Sequence, residues 1–453
     1  MEGSRGLGDV YKRQLLESYS GTGYALSGPT DPLGFAFQPN GTYRFSPTLN
    51  YADPNSIVLT DPQGWGAGAG LVQAGFINNP DTEDWLAHLK FHVDRAFTEG
   101  PFSKGLIGID LSRRDKQRQI GQNFLVLPNG AETAAIPQEA LIGGDVDLSF
   151  IGIPGQVVYD PLYVLDNVYE QVPIQLSSFN VPQDWQVRED VITGFVRFDV
   201  DTLVGGTIPL TGNVGLQVVH TDQTSGGFRV VTDGDFIGVE DGDKYTRFLP
   251  SLNLSFELPH NQLLRFGASR VLARARQDQL NASLSLSTNF TRISSTDPNQ
   301  AFFSASGGNT NLKPTIANTV DISYEKYFSD DKGYVALSAF YKDLQDFINP
   351  NAAFLVDFSA FIDDFLTPEQ AAELGTPLGT ISGPTNDGSG NLWGFELSSS
   401  LPFSTFSDTL DGFGLLFSAS WTDSDVTLGD ATDSITVPGL SLIHISEPTR
   451  PFH

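Results

Sequence analysis

The chain has 453 residues, with 26 Lys and Arg against 54 Asp and Glu for a formal net charge of −28, no Cys, one Met, 40% hydrophobic and 11% aromatic residues. The missing Cys excludes a disulfide scaffold and a Cys-based zinc site, and the acidic balance excludes a nucleic-acid binder built on net positive charge. The apolar and aromatic content argues against intrinsic disorder, and no run of about 18 apolar residues marks a transmembrane helix.

The first 14 residues, MEGSRGLGDVYKRQ, and the last 14, LSLIHISEPTRPFH, can be encoded by one DNA word read on opposite strands. Leu440 as CTG gives CAG for Gln14 in reverse complement, Ser441 gives Arg13, Leu442 gives Lys12, and the pairing runs on to His453 (CAT) with Met1 (ATG). The word looks like a sequencing-library transposase adapter translated in both directions. Residues 1–14 and 440–453 are therefore expected to be adapter-derived and not native, leaving 15–439 as a native segment cut at both ends. Setting the ends aside leaves 22 basic against 51 acidic residues, so the acidity belongs to the native segment. A chain without Cys fits an envelope protein and a cytosolic one equally.

From residue 80 onward the recurring pattern is alternation of apolar and polar residues over about ten positions, the period of a strand with one apolar face. Trp85, Ala87, Leu89, Phe91 and Val93 face one way, and His88, Lys90, His92 and Asp94 the other. Leu252, Leu254, Phe256 and Leu258 repeat the pattern against Ser251, Asn253, Ser255 and Glu257, as do Val320, Ile322 and Tyr324 against Asp321, Ser323 and Glu325. About ten strands are expected, near 84–97, 105–119, 187–201, 210–222, 244–258, 262–275, 317–328, 334–346, 390–401 and 412–424, with one or two weaker ones before residue 80. Helical periodicity is nearly absent, so the fold class is all-β.

Short turns, such as Pro259-His260-Asn261-Gln262 and Val204-Gly205-Gly206-Thr207, alternate with long polar connections around 120–186, 223–243, 276–316 and 347–389. A transmembrane antiparallel β-barrel sorts its loops in this way, and strands of ten or more residues can cross a bilayer when tilted. Aromatics gather at strand ends, among them Trp85, Phe97, Phe102, Tyr245, Phe248, Tyr334, Tyr341, Trp393 and Trp421. They suit interfacial girdles, and equally the cross-strand packing of a soluble sheet.

Asn309-Thr310-Asn311-Leu312-Lys313-Pro314-Thr315, followed by TVDISYEKYFSDDKGYVALSAFYKDLQDFI (319–348), resembles the "NPNLKPE … E.Y" strand pair of TonB-dependent outer-membrane receptors. Asn311, Leu312, Lys313 and Pro314 match the motif directly, and Glu325, Tyr327 and Phe328 match its following strand; Thr310 stands where the family usually has Pro. LPSLNL (249–254) and LRFGASRVLARA (264–275) look like barrel hairpins of the sphingomonad, xanthomonad and caulobacter-type subfamily. The resemblance covers most of 80–425. It implies about half of a 22-stranded barrel, with the plug domain and TonB box outside this sequence. It also implies an outer-membrane receptor of a Gram-negative bacterium that imports a scarce solute, a ferric siderophore, oligosaccharide or similar, with energy from TonB and its inner-membrane complex. Outer-membrane lipid and lipopolysaccharide are further implied partners. The motif itself reads as structural, because Pro314 removes a backbone donor just before a strand.

The chemistry-bearing residues do not converge on a catalytic centre, and the chain is not read as an enzyme. His88 and His92 lie four apart on a strand, about 13 Å, too far to share a metal ion. Arg113, Arg114, Lys116 and Arg118 form a basic cluster that could meet lipopolysaccharide phosphates or stand as solvated rim charge. Ser269-Arg270 and Arg274-x-Arg276 put the guanidinium groups of Arg270, Arg274 and Arg276 at the start of the 276–316 loop, to meet an anionic substrate or to bond to loop or plug groups. Asp233, Asp235, Glu240, Asp241 and Asp243 could bind Ca²⁺, attract cationic ligands or form a solvated, repulsive surface. No catalytic, metal or cofactor site is expected, and the substrate-binding residues are left open. Rival readings are a passive porin-like channel and a soluble β-rich binding domain.

Overall fold

Each of the ten segments with alternating faces forms a strand. They are β1 (Asp81–Ala96), β2 (Phe102–Gln119), β3 (Trp185–Val204), β4 (Ile208–Thr232), β5 (Asp235–Leu258), β6 (Gln262–Ala273), β7 (Thr315–Tyr327), β8 (Tyr334–Asp357), β9 (Leu378–Pro402) and β10 (Gly414–Leu428). The computed structural model describes all residues except 1, 16–18, 29, 40, 63, 65, 68–69, 144–145, 175–179, 233–234, 329–332, 430–434, 436–442 and 446–453. The ten strands follow one another through a single sheet in chain order, each hydrogen-bonded to the next. Glu2–Leu15 lies alongside β1 and Ile443–Ile445 alongside β10.

The alternation in sequence becomes rows across the sheet. Leu254, Phe266, Ile322, Ala339, Phe395 and Trp421 are register partners in succession over six strands. One residue along, Ser255, Arg265, Ser323, Ser338, Glu396 and Ser420 form a polar row on the opposite face. The apolar face is left open: Ile322 is 48% exposed and Phe395 49%.

Four strands run further than sequence alternation indicates. The connection expected at 223–243 is mostly ladder, because β4 and β5 stay paired as far as Gly226–Glu240 and beyond. The connection expected at 347–389 likewise contains the paired ends of β8 and β9, including Ala353–Ser382, past register shifts between Leu344 and Ala352. These extensions still carry apolar residues, among them Phe228, Phe236, Ile237, Phe354 and Leu355, but glycines, prolines and polar residues interrupt the alternation while backbone pairing continues. The short turns are tight, and His260 and Asn261 take left-handed backbone angles (φ 67° and 59°) between β5 and β6.

Between β6 and β7 the chain folds a small hairpin, Leu284–Thr288 with Phe303–Gly307. Its second strand lies parallel to Thr380–Ser382 of β9, and Arg229 of β4 pairs with Leu284. Strands β4 to β9 and this hairpin thus close into a ring of hydrogen-bonded neighbours, with β1 to β3 and β10 continuing the sheet outside the ring. Phe302, Phe303, Phe358 and Leu366 bury a local core that fuses this hairpin to the β8–β9 connection.

The chain divides into two compact units. The sheet belongs to one, made of residues 1–12, 83–117 and 181–453. Residues 13–82 and 118–180 form the other. The stretch before residue 80, expected to hold one or two weak strands, carries several short ones, and 120–186 is structured where a plain loop was expected. Short strands Tyr19–Thr22, Gly75–Asn78, Gln122–Val126 and Glu170–Pro173 make an antiparallel sheet there. Helix Pro161–Asn167 is capped by Asp160, which accepts from the Leu162 and Tyr163 amides. Leu59, Ala74, Leu125, Leu127 and Val164 are fully buried in its core. No helix among the described residues is long and apolar enough to cross a membrane.

Candidate functional site

Strand geometry separates residues that are adjacent in sequence. Arg113 and Arg114 point to opposite faces, so the basic cluster expected at 113–118 does not exist as a patch. Arg114 forms a two-pronged bond to Asp84 (2.9 and 2.5 Å), whereas Arg113 does the same with Asp190 (2.5 and 3.0 Å). The Arg113–Asp190 pair shares its face with Arg188–Asp115 at 2.9 Å and Lys244–Asp222 at 2.6 Å. The same face carries Trp85, Leu89, Leu111 and Ile192, which with Arg113, Asp190 and Asp222 line a groove of about 590 Å³. Charge at the long-loop ends of the strands therefore gives way to apolar surface along the same face.

The opposite face holds two polar cavities. One, of about 800 Å³, lies against Asn253, Arg265, Asp321, Ser338, Lys342 and Glu396, which identifies the polar face as the inside of the ring. The second, of about 550 Å³, lies against β1, β2 and β3 and includes Asp84, His88, Asp110, Arg114, Glu189 and Arg274. His88 Nε2 is 2.7 Å from Asp110, and Asp94 pairs with Lys104 at 2.9 Å, so the histidine-bearing face of β1 is tied to β2 by cross-strand pairs. Among the described residues no group of three or more His, Cys, Asp or Glu is placed to hold a metal ion.

Glu189 was not legible as a site residue, although the sequence carried a signal. Val187, Glu189 and Val191 share one face of β3, an acidic residue in an otherwise apolar register. Glu189 is 4% exposed; its Oε2 accepts from Gln277 at 3.2 Å and its Oε1 has no partner. Arg274, singled out in sequence as a loop guanidinium, reaches this cavity and forms no ion pair among the described residues, while Arg276 is occupied by Asp278 at 2.6 Å.

The segment Asn309–Pro314 lies where the β4–β5 and β8–β9 hairpins meet. Buried Gln223 of β4 donates to the carbonyls of Thr310 (2.8 Å) and Leu312 (2.9 Å). Thr310 donates to Asp241 at 2.9 Å, and the Lys313 ammonium contacts Asp243 and lies over the Tyr245 ring. On the other side, Asn386 accepts from the Lys313 amide at 2.7 Å and donates to the carbonyls of Lys313 and Asp346. Asn309 donates to the carbonyl of Pro384 at 3.1 Å and also accepts from the Asn311 amide at 3.0 Å. Leu312 is buried with Trp185, Val187 and Leu280, and Pro314 directly precedes β7. Of the acidic group expected as solvated surface or a Ca²⁺ site, Asp241 and Asp243 are engaged by this segment. Asp233 and the side chain of Asp235 lie outside the described residues. Glu325 pairs with Arg265 at 2.9 Å and accepts from the Tyr327 hydroxyl at 2.8 Å, whereas Phe328 closes the next turn through its amide on the Gly333 carbonyl.

The family model "TonB dependent receptor-like, beta-barrel" matches residues 9–443. Solved structures similar to this chain include the ferric citrate transporter FecA (12% identity, TM-score 0.42, 81% of this chain and 40% of that one). The siderophore receptor PiuA of Acinetobacter baumannii matches at 12% identity and TM-score 0.41, over 84% of this chain and 44% of that one. The ferric yersiniabactin uptake receptor FyuA of Yersinia pestis matches at 10% and 0.42, over 81% and 40%. This chain spans less than half the length of each. A search of curated proteins gives no significant match.

Proposed function

Because the chain belongs to the TonB-dependent receptor β-barrel family, we propose that it is the barrel region of an outer-membrane receptor that binds a scarce solute and imports it with energy supplied through TonB. The carrying observation is the family match over residues 9–443, and the two-faced sheet supports it physically. Large apolar side chains on one face are exposed, with the ion pairs of that face gathered at the long-loop ends, while polar and charged side chains line the other, the arrangement of a barrel with lipid outside and a polar interior. Loop parity supports the same orientation, with short turns on the periplasmic side and the long connections outside.

The ten strands are read as part of a larger plugged barrel of about 22 strands. The eight-strand ring favours this over a complete small barrel, because its closure uses two short loop strands and a single Arg229–Leu284 bridge, while the sheet continues past it on both sides. The motif residues Asn311, Leu312, Lys313 and Pro314 are read as a structural clasp holding two outer hairpins together, and Glu325, Tyr327 and Phe328 as supports of the strand that follows. Residues 1–14 and 440–453 are read as adapter-derived; a long read through the source locus should show unrelated codons beyond Leu15 and Gly439.

Uptake by cells carrying the full locus tests the function. Accumulation of the solute is expected to collapse when the inner-membrane proton gradient is dissipated or TonB is deleted. Undiminished accumulation under both conditions would establish the passive, porin-like alternative.

A further inference from the structure

We propose that the hairpin of Gly34–Phe37 and Tyr43–Ser46, in the unit of residues 13–82 and 118–180, is a lipid-docking element whose aromatic face enters the headgroup region of the bilayer. The inference goes beyond the receptor reading and takes from it only the lipid-facing sheet. Phe35 is the register partner of Phe45, and Phe37 of Tyr43. Register partners and residues two apart share a face, so these four rings stand together on one side of the hairpin. The Phe35 and Phe37 centroids are 5.7 Å apart and those of Tyr43 and Phe45 5.4 Å, both pairs edge to face. Phe37 is 78% exposed and Phe35 62%, in a unit that encloses Leu59, Leu125 and Val164 completely. That exposure belongs to a fixed platform. Asp31 accepts from the Thr48 amide and hydroxyl across the stem, and the turn at 149–152 comes so close that a Cβ on Gly152 (φ 91°) would run into the Phe45 carbonyl.

Lipid is the occupant these observations favour. Arg44 is the only charged residue in 34–46, and the pleat turns it to the opposite face, so the four rings offer a charged partner nothing to pair with. The chain passes between this unit and the strand unit at 82–83, 117–118 and 180–181, at or next to the long-connection ends of β1, β2 and β3. Those strands carry Trp85, Leu89 and Ile192 of the open apolar face, so the tether holds the hairpin at a high effective concentration of lipid. Aromatic rings, among them Tyr with its hydroxyl, settle at the membrane–water interface. A rigid platform also loses little conformational freedom on docking. Its reach is shallow, because four residues of strand extend about 13 Å, which suits immersion at the headgroup boundary and not a crossing.

The chain has no Cys, so a single introduced Cys carries a spin label without background. The full chain labelled at Phe37→Cys, Ala36→Cys or Ile322→Cys is reconstituted into singly loaded phosphatidylcholine vesicles. Collisions with oxygen, which concentrates in lipid, are compared with collisions with a water-soluble nickel chelate. The label at 37 is expected to be shielded from nickel at a depth of about 5–10 Å, with the label at 36 open to nickel, the alternation of a strand lying on the interface. Molar salt should leave the shielding unchanged, because no charge takes part. Adding Phe35→Ser and Tyr43→Ser should lower the shielded population about tenfold or more, and amide exchange at Leu125 reports the fold of the unit in every variant. Nickel reaching 37 as freely as 36 overturns the proposal, as does shielding that appears only in vesicles holding many copies, which would assign the face to a second copy. Oxygen reach at Ile322 with nickel reach at 37 sinks this proposal alone; nickel reach at Ile322 sinks the lipid-facing sheet and this proposal with it.

Discussion

The two units of the chain treat apolar side chains in opposite ways. In the unit of residues 13–82 and 118–180, Leu59, Leu125 and Val164 are wholly buried, as in a protein that folds in water. In the strand unit, Ile322, Phe395, Trp421 and Phe248 stand on an open face at 40–60% exposure, while polar and charged residues such as Arg265, Lys342 and Glu396 line the opposite face. An apolar surface that extensive is not stable against water. The difference teaches that the two units solve the same problem differently: one encloses its apolar side chains, while the sheet leaves them on an open face, as the lipid-facing wall proposed above would require.

Truncation in the water-type core should have the largest effect. Leu125→Ala removes a fully buried side chain and is expected to cost that unit about 2–5 kcal/mol. Amide exchange at Phe76 and Phe124, register partners in its sheet, should accelerate sharply. Unchanged protection would mean that this core does not hold the unit together, and the contrast would fail. The sheet should respond to the reverse change. Ile322→Arg puts a charge on the open face and is expected to cost about 2–4 kcal/mol in a bilayer if Ile322 faces lipid near its midplane. Reversible urea titration in vesicles reads this directly, and a change within about 0.5 kcal/mol, normal for a water-facing position, would break the lipid assignment.

A third substitution sharpens the contrast by probing a place where the strand unit does bury polar groups. Gln223→Ala would leave the Thr310 and Leu312 carbonyls without their donor inside a buried contact, at about 1–3 kcal/mol. The loss should appear as faster exchange confined to residues 309–316 and the adjoining hairpin ends, with the rows around Ile322 unaffected. Uniform destabilisation of the whole sheet would instead assign Gln223 to the global fold and remove the clasp reading of the motif.

The strand unit was largely legible in sequence because its physics is local: alternation has period 2, and each strand announces its own faces. Turn residues such as His260-Asn261 marked the hairpins for the same reason. What escaped was set by residues far apart in sequence. In the extensions of β4, β5, β8 and β9 glycines, prolines and polar residues break the alternation, and backbone pairing, which leaves no periodic trace, carries the ladder on. Segment 120–186 read as loop because its strands are three to five residues long and draw stability from a core shared with residues 57–77. Arg113 and Arg114 read as one cluster until the pleat sent them to different faces. The motif was found by resemblance, but its partners Gln223, Asn386 and Asp241 lie 69 to 89 residues away and carry no signature of their own.

The smallest expected effect tests the water-type unit at its surface. Asp31 accepts from the Thr48 hydroxyl and amide, the Leu49 amide and the Tyr51 hydroxyl, pinning the turn at 47–51. The Thr48 hydroxyl is the main cause that holds this carboxyl below its usual range; burial is the next largest effect and opposes it, and the Leu49 and Thr48 amides and the Tyr51 hydroxyl add to the lowering. A carboxylate whose folded value is depressed contributes stability that is complete above the ordinary value near pH 4 and is lost as pH falls through the folded value. Cleavage within 31–51 by an acid-active protease should therefore rise as pH drops below about 4, while Asp31→Ala should be cleaved readily at every pH tested. A wild-type profile flat through that window would show that Asp31 does not hold the turn. Charge would then matter to the strand unit, where carboxylates meet guanidinium groups on the inner wall, and not to this one, whose order would rest on its buried leucines alone.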